Sequence, residues 1–218
     1  MKIKWIGHSG FIIDDLMIDP WLIKYEAFGV DAPYKLKEED KNITTIVITH
    51  SHEDHLLGVF DFAKEVDATI VGTPETVGPG AGQGCKAQML NIGGPISVNG
   101  WEIRLVQAFH TGNPTGAILK KDGLTIYHAG DTGLFSDMKM IGELFKPDIA
   151  ILPIGGRFTM DEKDAALASK WIGAKKVIPA HYNTFPLITA DPKKFEELVL
   201  KESGAKTLIF SVGEEKEI

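Results

Sequence analysis

His50-Ser51-His52-Glu53-Asp54-His55 is the stretch that decides how this chain folds and what chemistry it carries. Three of the seven histidines of the chain fall within these six residues, in the pattern H-x-H-x-D-H. Imidazole nitrogens and carboxylate oxygens suit borderline divalent metals, so such a run can supply ligands to two ions at once. On an extended turn His50 and His52 point the same way, because side chains alternate along the backbone. The stretch therefore predicts a metal centre.

The stretch lies between a predicted strand and a predicted helix. Residues 43–49 form a β-branched run typical of a buried strand. Residues 56–66 carry apolar side chains at helical spacing, which places Asp54 and His55 at the start of the helix. Ligands of open sheets collect at such strand-to-helix turns, so we expect the reaction centre here.

Three more candidate ligands follow predicted strands. Each of His110, Asp131 and His181 comes directly after an apolar run, and Asp131 stands in the turn Gly-Asp-Thr-Gly. If these strands are parallel or suitably wound, their ends converge on the turn after residues 43–49. A dinuclear centre with three histidines and a shared carboxylate would use most of these side chains.

The rest of the chain indicates a single layered α/β domain over residues 1–218. Two hairpins are predicted at Asn99-Gly100 and Asp122-Gly123, whose residues favour tight turns. Residues 21–41 and 78–84 are interpreted as loops, and residues 213–218 as a solvated tail. The other predicted strands are 2–6, 11–14, 16–19, 69–72, 96–98, 101–109, 116–120, 124–128, 148–154, 176–180 and 207–212, and the other predicted helices are 136–145, 161–172 and 192–203.

Composition excludes several classes of protein. A net charge of −7 argues against a general nucleic-acid binder, which usually has a basic surface. Cys85 is the only cysteine, so neither an intramolecular disulfide nor a cysteine-based zinc site can form. No apolar run reaches transmembrane length and the first residues do not resemble a signal peptide, so we expect a cytoplasmic protein without membrane insertion. The oligomeric state is left open, a homo-oligomer included.

The H-x-H-x-D-H run, His110, the Gly-Asp-Thr turn and His181 together resemble the metallo-β-lactamase superfamily, over roughly residues 1–182. The resemblance implies a four-layer αββα sandwich. The segments at 7–11, 153–160 and 181–186 are similar to the UPF0173 metal-dependent hydrolase group. That group is related to the ascorbate-phosphate lactonases and the N-acyl-phosphatidylethanolamine phospholipase D enzymes.

The resemblance also implies a ligand set for two divalent ions. His50, His52 and His110 would hold one ion, Asp54, His55 and His181 would hold the other, and Asp131 would bridge them. Zinc is the first expectation, with manganese or iron as alternatives, because geometry and availability matter as much as affinity. A hydroxide bridging the ions would attack a lactone or phosphodiester-type bond of a small molecule. In that mechanism Asp54 and Asp131 are the catalytic carboxylates, and Asp54 orients the nucleophile or accepts its proton.

Three residues are candidates for contact with the substrate. His8 lines the pocket, orients a metal ligand or is a buried structural histidine, and the sequence does not decide among these roles. Arg157 stands in a glycine-flanked loop and suits an anionic group, and Asn183 follows His181 closely. The role of His128, three residues before Asp131, is also open.

Other functions are compatible with parts of the pattern. An RNA-processing nuclease of the same superfamily usually carries an added domain or arm, and the short stretch between Asp131 and His181 leaves little room for one. Diiron oxygen-reducing relatives usually have glutamate where this chain has His52. A metal-binding module without catalysis would be expected to lack a ligand, whereas the set here is complete.

Overall fold

The structure, a computed structural model, describes all 218 residues and contains fourteen strands and five α-helices. The strands are Lys2–Trp5 (β1), Phe11–Ile13 (β2), Leu16–Ile18 (β3), Thr45–Val47 (β4), Thr69–Gly72 (β5), Lys86–Met89 (β6), Ile96–Val98 (β7), Trp101–Gln107 (β8), Thr115–Lys121 (β9), Leu124–His128 (β10), Ile149–Pro153 (β11), Lys176–Ala180 (β12), Lys206–Thr207 (β13) and Glu215–Glu217 (β14). The helices are Val59–Glu65 (α1), Pro74–Gly82 (α2), Met138–Phe145 (α3), Glu162–Ile172 (α4) and Pro192–Glu202 (α5).

The chain divides into two compact units, each built on one seven-stranded sheet. The first unit comprises Met1–Asn91 and Phe210–Ile218, and the second comprises Ile92–Ile209. The assignment of residues 1–218 to one domain stays a prediction. None of the five helices is both long and apolar enough to cross a membrane.

In the first unit the strand order is β14-β1-β2-β3-β4-β5-β6. The strands from β3 to β6 are parallel, and the remaining pairs are antiparallel. Parallel strands end at the same edge of a sheet, so the residues after β3 and β4 become neighbours there. These residues are Asp19, Thr49 and His50. The sheet order therefore brings the predicted metal-binding stretch beside the end of β3.

Two helices of the first unit share its apolar core. Ile12, Met17, Ile46 and Ile70 lie opposite one another on successive strands and belong to one buried cluster with residues of both helices. Removing such side chains from water contributes about 1.5–3 kcal/mol each. The core thus fixes the register of the strands that lead to the metal-binding stretch.

The prediction of a loop at residues 78–84 is wrong for most of that segment, because helix α2 extends from Pro74 to Gly82. The Thr73 hydroxyl accepts a hydrogen bond from the Thr76 amide, and Pro74 occupies the first turn, where its missing N–H costs nothing. A Cβ atom at Gly80 would lie 2.6 Å from Ile70 and 2.7 Å from Phe60. Gly80 therefore permits close packing of the helix. The many glycines of residues 78–84 had suggested a flexible loop instead.

In the second unit the strand order is β13-β12-β11-β10-β9-β8-β7. The strands from β7 to β10 form an antiparallel meander, and those from β10 to β13 are parallel. Strands β8, β10, β11 and β12 consequently run in one direction. The residues that follow them, which include His110, Asp131 and His181, emerge at the same edge of this sheet.

Other element boundaries differ from the predicted ones. The predicted helix at 56–66 begins only at Val59, because Glu53–His55 forms a separate 3₁₀ turn and Gly58 adopts φ +81°. The predicted strand 207–212 is limited to β13. The predicted solvated tail contains β14, which pairs with β1. Strand β6 was not predicted, because its largely exposed sequence Lys-Ala-Gln-Met lacks an apolar pattern.

The predicted loop at residues 21–41 is mostly irregular and is attached to the first sheet by one buried carboxylate. Asp40 accepts hydrogen bonds from the Lys4 ammonium at 2.5 Å, the Tyr34 hydroxyl at 2.9 Å and the Lys37 amide at 2.9 Å. Burial raises the pKa of Asp40, but the three donors outweigh burial and hold the pKa below its usual value. The ionised form of Asp40 therefore stabilises the folded chain.

We predict that Asp40→Asn lowers the free energy of unfolding by about 3 kcal/mol, because the substitution leaves the buried Lys4 ammonium without this counter-charge. Since the pKa of Asp40 is lower in the folded state, its contribution is present above about pH 4 and is lost as the pH falls further. Urea titrations of both proteins between pH 3 and 7 measure this. The exposed Glu39→Gln is the control, with an expected change within about 0.5 kcal/mol. Equal stability of Asp40→Asn and the parent at pH 7 would contradict the prediction.

Candidate metal centre

In the first unit, four predicted ligands lie on the turn between β4 and α1. Nε2 of His50 is 3.0 Å from Nδ1 of His52. Two nitrogens bound to one tetrahedral zinc ion at about 2.0–2.1 Å are about 3.3 Å apart. The observed separation is therefore close to that of two ligands of the same ion. Asp54 and His55 belong to the 3₁₀ turn Glu53–His55, and His55 is fully buried. The turn thus places imidazole and carboxylate donors within a few residues, as the sequence predicted.

Asp19 is a buried residue of this site that the sequence does not predict. One of its carboxylate oxygens accepts the Thr49 amide at 2.7 Å, and the other accepts the Thr49 hydroxyl at 2.6 Å. The second oxygen also lies 3.0 Å from Nδ1 of His55. Asp19, His50 and His55 have donor atoms close enough to form a metal-binding group by themselves. The available signal was an aspartate at the end of a strand, which the following Pro20 made look like an ordinary turn residue.

The contacts of Thr49 fix the protonation of His50. The single hydroxyl proton of Thr49 is donated to Asp19, so the hydroxyl can only accept from Nδ1 of His50, 3.1 Å away. We infer that Nδ1 carries the proton and that Nε2 presents a lone pair. Such outer partners orient metal-binding histidines and set their tautomer. The sequence predicts such partners without identifying them.

Two side chains flank Asp54 in the same unit. Nε2 of His8 lies 2.9 Å from Oδ2 of Asp54. Tyr25 lies beside Glu53 and Asp54, and its pKa is raised by partial burial, by both negative charges and by its hydrogen bond to Glu53. The structure therefore places His8 against a predicted ligand, and it places the loop at residues 21–41 beside the metal-binding turn.

In the second unit, the three remaining predicted ligands come together around one carboxylate. Oδ2 of Asp131 lies 3.0 Å from Nε2 of His181 and 3.5 Å from Nε2 of His110. Asp131 is 2% exposed and His181 is 1% exposed, so both polar groups are withdrawn from bulk water. One carboxylate oxygen of Asp131 therefore lies close to nitrogens of two predicted histidine ligands.

The Gly-Asp-Thr-Gly turn around Asp131 is held by neighbouring strands. Nδ1 of the buried His128 accepts the Gly130 amide at 3.1 Å. The Thr132 hydroxyl accepts the Phe109 amide at 3.0 Å, and the Gly133 amide donates to the Phe109 carbonyl. The turn is thereby joined to the residue before His110. The structure gives His128 a role that the sequence left open: it shapes this turn.

His181 occupies a strained position that depends on a neighbouring glycine. Its φ is +53°, a left-handed conformation that costs non-glycine residues roughly 1–2 kcal/mol. A Cβ atom at Gly155, which follows β11, would lie 2.2 Å from the His181 carbonyl oxygen. Only a glycine lets these two backbones approach so closely. Strain concentrated at a predicted ligand is typical of functional sites.

The predicted substrate contacts of the second unit lie on exposed loops. Arg157 is exposed and lies over the ring of Phe158, 5.3 Å from its centroid. The amide group of Asn183 donates to the Ala190 carbonyl and accepts the Ala190 amide, which closes the loop after His181. Contact of His8, Arg157 or Asn183 with a substrate stays a prediction.

The donor set suits a transition-metal site. The seven predicted ligands offer five imidazoles and two carboxylates, and no thiolate is among them. Nitrogen-rich sites of this kind suit zinc, and they also accept iron or manganese. The residues present therefore fit a divalent metal centre.

Comparisons with known proteins agree with this description. The model of the family described as "Beta-lactamase superfamily domain" matches residues 15–182. A UPF0173 metal-dependent hydrolase of Pyrobaculum islandicum is 43% identical, with 98% of both chains covered. The structure of Igni18, a metallo hydrolase from Ignicoccus hospitalis, has a TM-score of 0.87 at 38% identity, and the match covers 100% of this chain and 98% of that one. A possible metal-dependent hydrolase from Veillonella parvula has a TM-score of 0.80 at 21% identity, covering 100% and 99% of the two chains. The fold class predicted from the sequence is confirmed.

We predict that Thr49→Val weakens metal binding by about 10–100-fold, because it removes the hydroxyl that holds the His50 tautomer while keeping the side-chain shape. Thr49→Ser retains the hydroxyl and is the matched control, with binding close to that of the parent. Calorimetric titration of chelator-treated protein with Zn²⁺ compares the three. Equal affinities for the valine and serine variants would contradict the role assigned to this hydroxyl.

We also predict that Gly155→Ala yields a folded protein that binds less metal, because the new methyl group displaces the backbone of His181. The control is Gly94→Ala, where an added Cβ meets no atom within 4 Å and φ is not positive. Circular dichroism monitors folding, and elemental analysis counts bound metal. The prediction is wrong if Gly155→Ala and Gly94→Ala bind the same amount of metal.

Proposed function

We propose that this chain, which belongs to the beta-lactamase superfamily and within it to the UPF0173 metal-dependent hydrolases, is a dinuclear hydrolase. Its substrate would be a small molecule with a lactone or phosphodiester-type bond. One observation carries the proposal. Oδ2 of Asp131 faces the ring nitrogens of both His110 and His181, as a carboxylate shared by two ions would do.

We propose that the predicted ligands divide between two divalent ions, most simply Zn²⁺. His50, His52 and His110 would hold one ion, Asp54, His55 and His181 would hold the other, and Asp131 would be shared. The 3.0 Å separation between ring nitrogens of His50 and His52 supports the first group. Divalent ions held by these residues would supply an acidified water as the nucleophile and would polarise the scissile bond.

The protein side chains have separate tasks in this reaction. Asp54 would orient the attacking water or accept its proton. Thr49, supported by Asp19, keeps the Nε2 lone pair of His50 available. Thr132 and His128 hold the turn that carries Asp131. The chain therefore supplies rigid placement of the donors, which is the protein's main contribution to metal-assisted hydrolysis.

A small molecule is the substrate that the charge of the chain favours. A polyanion such as RNA would approach a protein of net charge −7 against long-range repulsion. Arg157 offers an exposed cation on a loop of the second unit, which suits one anionic group of a small substrate. A phosphodiester or a phosphorylated lactone would present such a group.

We predict that His52→Ala and Asp131→Ala each lose bound metal together with activity, by at least about 100-fold, since removal of an outer partner alone costs 10–100-fold. Bound metal is counted by elemental analysis, and turnover is measured on a panel of lactones, phosphodiesters and structured RNA. Asp61→Ala, at an exposed aspartate on α1, is the control and keeps both properties.

Each outcome of the panel has a definite meaning. Chelator-sensitive turnover of a lactone or phosphodiester supports the proposal. Turnover of RNA alone would instead indicate a nuclease, and metal binding without turnover on any member would indicate a binding module. Full turnover by either ligand variant would rule out the dinuclear mechanism.

A further inference from the structure

His8 occupies an unusual backbone position in the first unit. It is 1% exposed and has φ +56°, a conformation that costs a non-glycine residue roughly 1–2 kcal/mol. The turn is closed by hydrogen bonds from the Ile6 amide to the Gly10 carbonyl and from the Gly10 amide to the Gly7 carbonyl, both 2.9 Å. The indole N–H of Trp5 donates to the His8 carbonyl at 3.0 Å. The surrounding structure therefore maintains a strained histidine at this point.

The ring of His8 is also oriented by its neighbours. It packs edge-on against Trp21, with centroids 5.5 Å apart, and against His55, with centroids 5.6 Å apart. Its Nε2 atom lies 2.9 Å from Oδ2 of Asp54. In the proposed function Asp54 is an ionised metal ligand, and an ionised carboxylate only accepts hydrogen bonds, so we infer that Nε2 of His8 carries a proton and donates it. A protonated Nε2 cannot bind a metal ion.

We propose that His8 is a positioning residue: its Nε2–H occupies Oδ2 of Asp54 and directs the other oxygen, Oδ1, to the metal ion. This inference rests on the proposed function, in which Asp54 is a metal ligand. Of the roles that the sequence leaves open for His8, it selects orientation of a metal ligand over contact with the substrate. A carboxylate whose second oxygen accepts a hydrogen bond binds a metal ion through its first oxygen alone. Without the hydrogen-bond donor, the carboxylate can turn and bind through both oxygens.

The strain at His8 has a functional explanation in this arrangement. A relaxed backbone at this residue would move the ring away from Asp54, so the strained turn is the geometry that brings Nε2 within hydrogen-bonding distance. Strain of this kind persists where the surroundings over-determine it, and it is frequent at ligand clamps. Trp21 completes the clamp from the loop at residues 21–41, which therefore contributes to the metal centre through His8.

The test compares His8→Phe, which keeps the ring contacts but removes the donor, with His8→Gln, which restores an N–H donor. Each chelator-treated protein is loaded with Co²⁺, whose d–d absorption bands respond to coordination number. We expect two bound ions in both variants. The absorption band should be weaker in His8→Phe, because Asp54 then binds through both oxygens and raises the coordination number. In His8→Gln the band should have the intensity seen in the parent protein. On a substrate that the parent turns over, kcat falls about 10–100-fold in His8→Phe with KM unchanged, and His8→Gln recovers most of it.

An unchanged Co²⁺ band and unchanged kcat in His8→Phe would overturn the inference, as would equal defects in both variants. ¹⁵N NMR of histidine-labelled parent protein provides a test that needs no substituted chain to fold. We expect the His8 Nε2 signal to be that of a protonated nitrogen with and without Zn²⁺; conversion to a metal-bound signal would overturn the inference. Because these spectra require no substrate, an inactive parent would count against the proposed function only.

Discussion

The candidate centre of the first unit depends on one buried carboxylate. Asp19 lies at the end of β3, and both of its oxygens are used by Thr49 at the end of β4. That pair of hydrogen bonds fixes where the chain leaves the sheet, and through the Thr49 hydroxyl it fixes the tautomer of His50. A buried carboxylate is costly unless it is fully hydrogen-bonded. The hydrogen bonds from Thr49 to Asp19 therefore determine where the predicted metal-binding turn begins.

The second unit reaches a similar result by different means. Asp131 is positioned by its turn, where His128 and Thr132 accept hydrogen bonds from backbone amides of Gly130 and Phe109. His181 is positioned by close backbone approach, which only Gly155 permits. In both units the donors follow the carboxyl ends of parallel-running strands, where residues distant in sequence become neighbours. Sheet topology thus selects which donors meet, and local hydrogen bonds orient them.

Most of the fold was predictable, because it produces dense or periodic signals, and the seven candidate ligands produce signals of the same kind. The H-x-H-x-D-H run and the strand-end residues His110 and His181 are visible without any structure. Asp19 was missed because an aspartate before proline is a common turn residue, and its role depends on a pairing of β3 with β4 that sequence alone does not give. Helix α2 was missed because Gly80 serves tight packing, while glycine composition suggests a loop. Strand β14 was missed because its partner β1 lies at the other end of the chain.

We propose that this chain binds two metal ions, and counting the bound ions distinguishes this from a mononuclear or metal-free protein. Chelator-treated protein would be loaded with excess Zn²⁺, dialysed extensively and analysed for zinc by elemental analysis. We expect two zinc ions per chain, because the proposed ligands divide into two sets that would share Asp131. One ion per chain, or none, would contradict it.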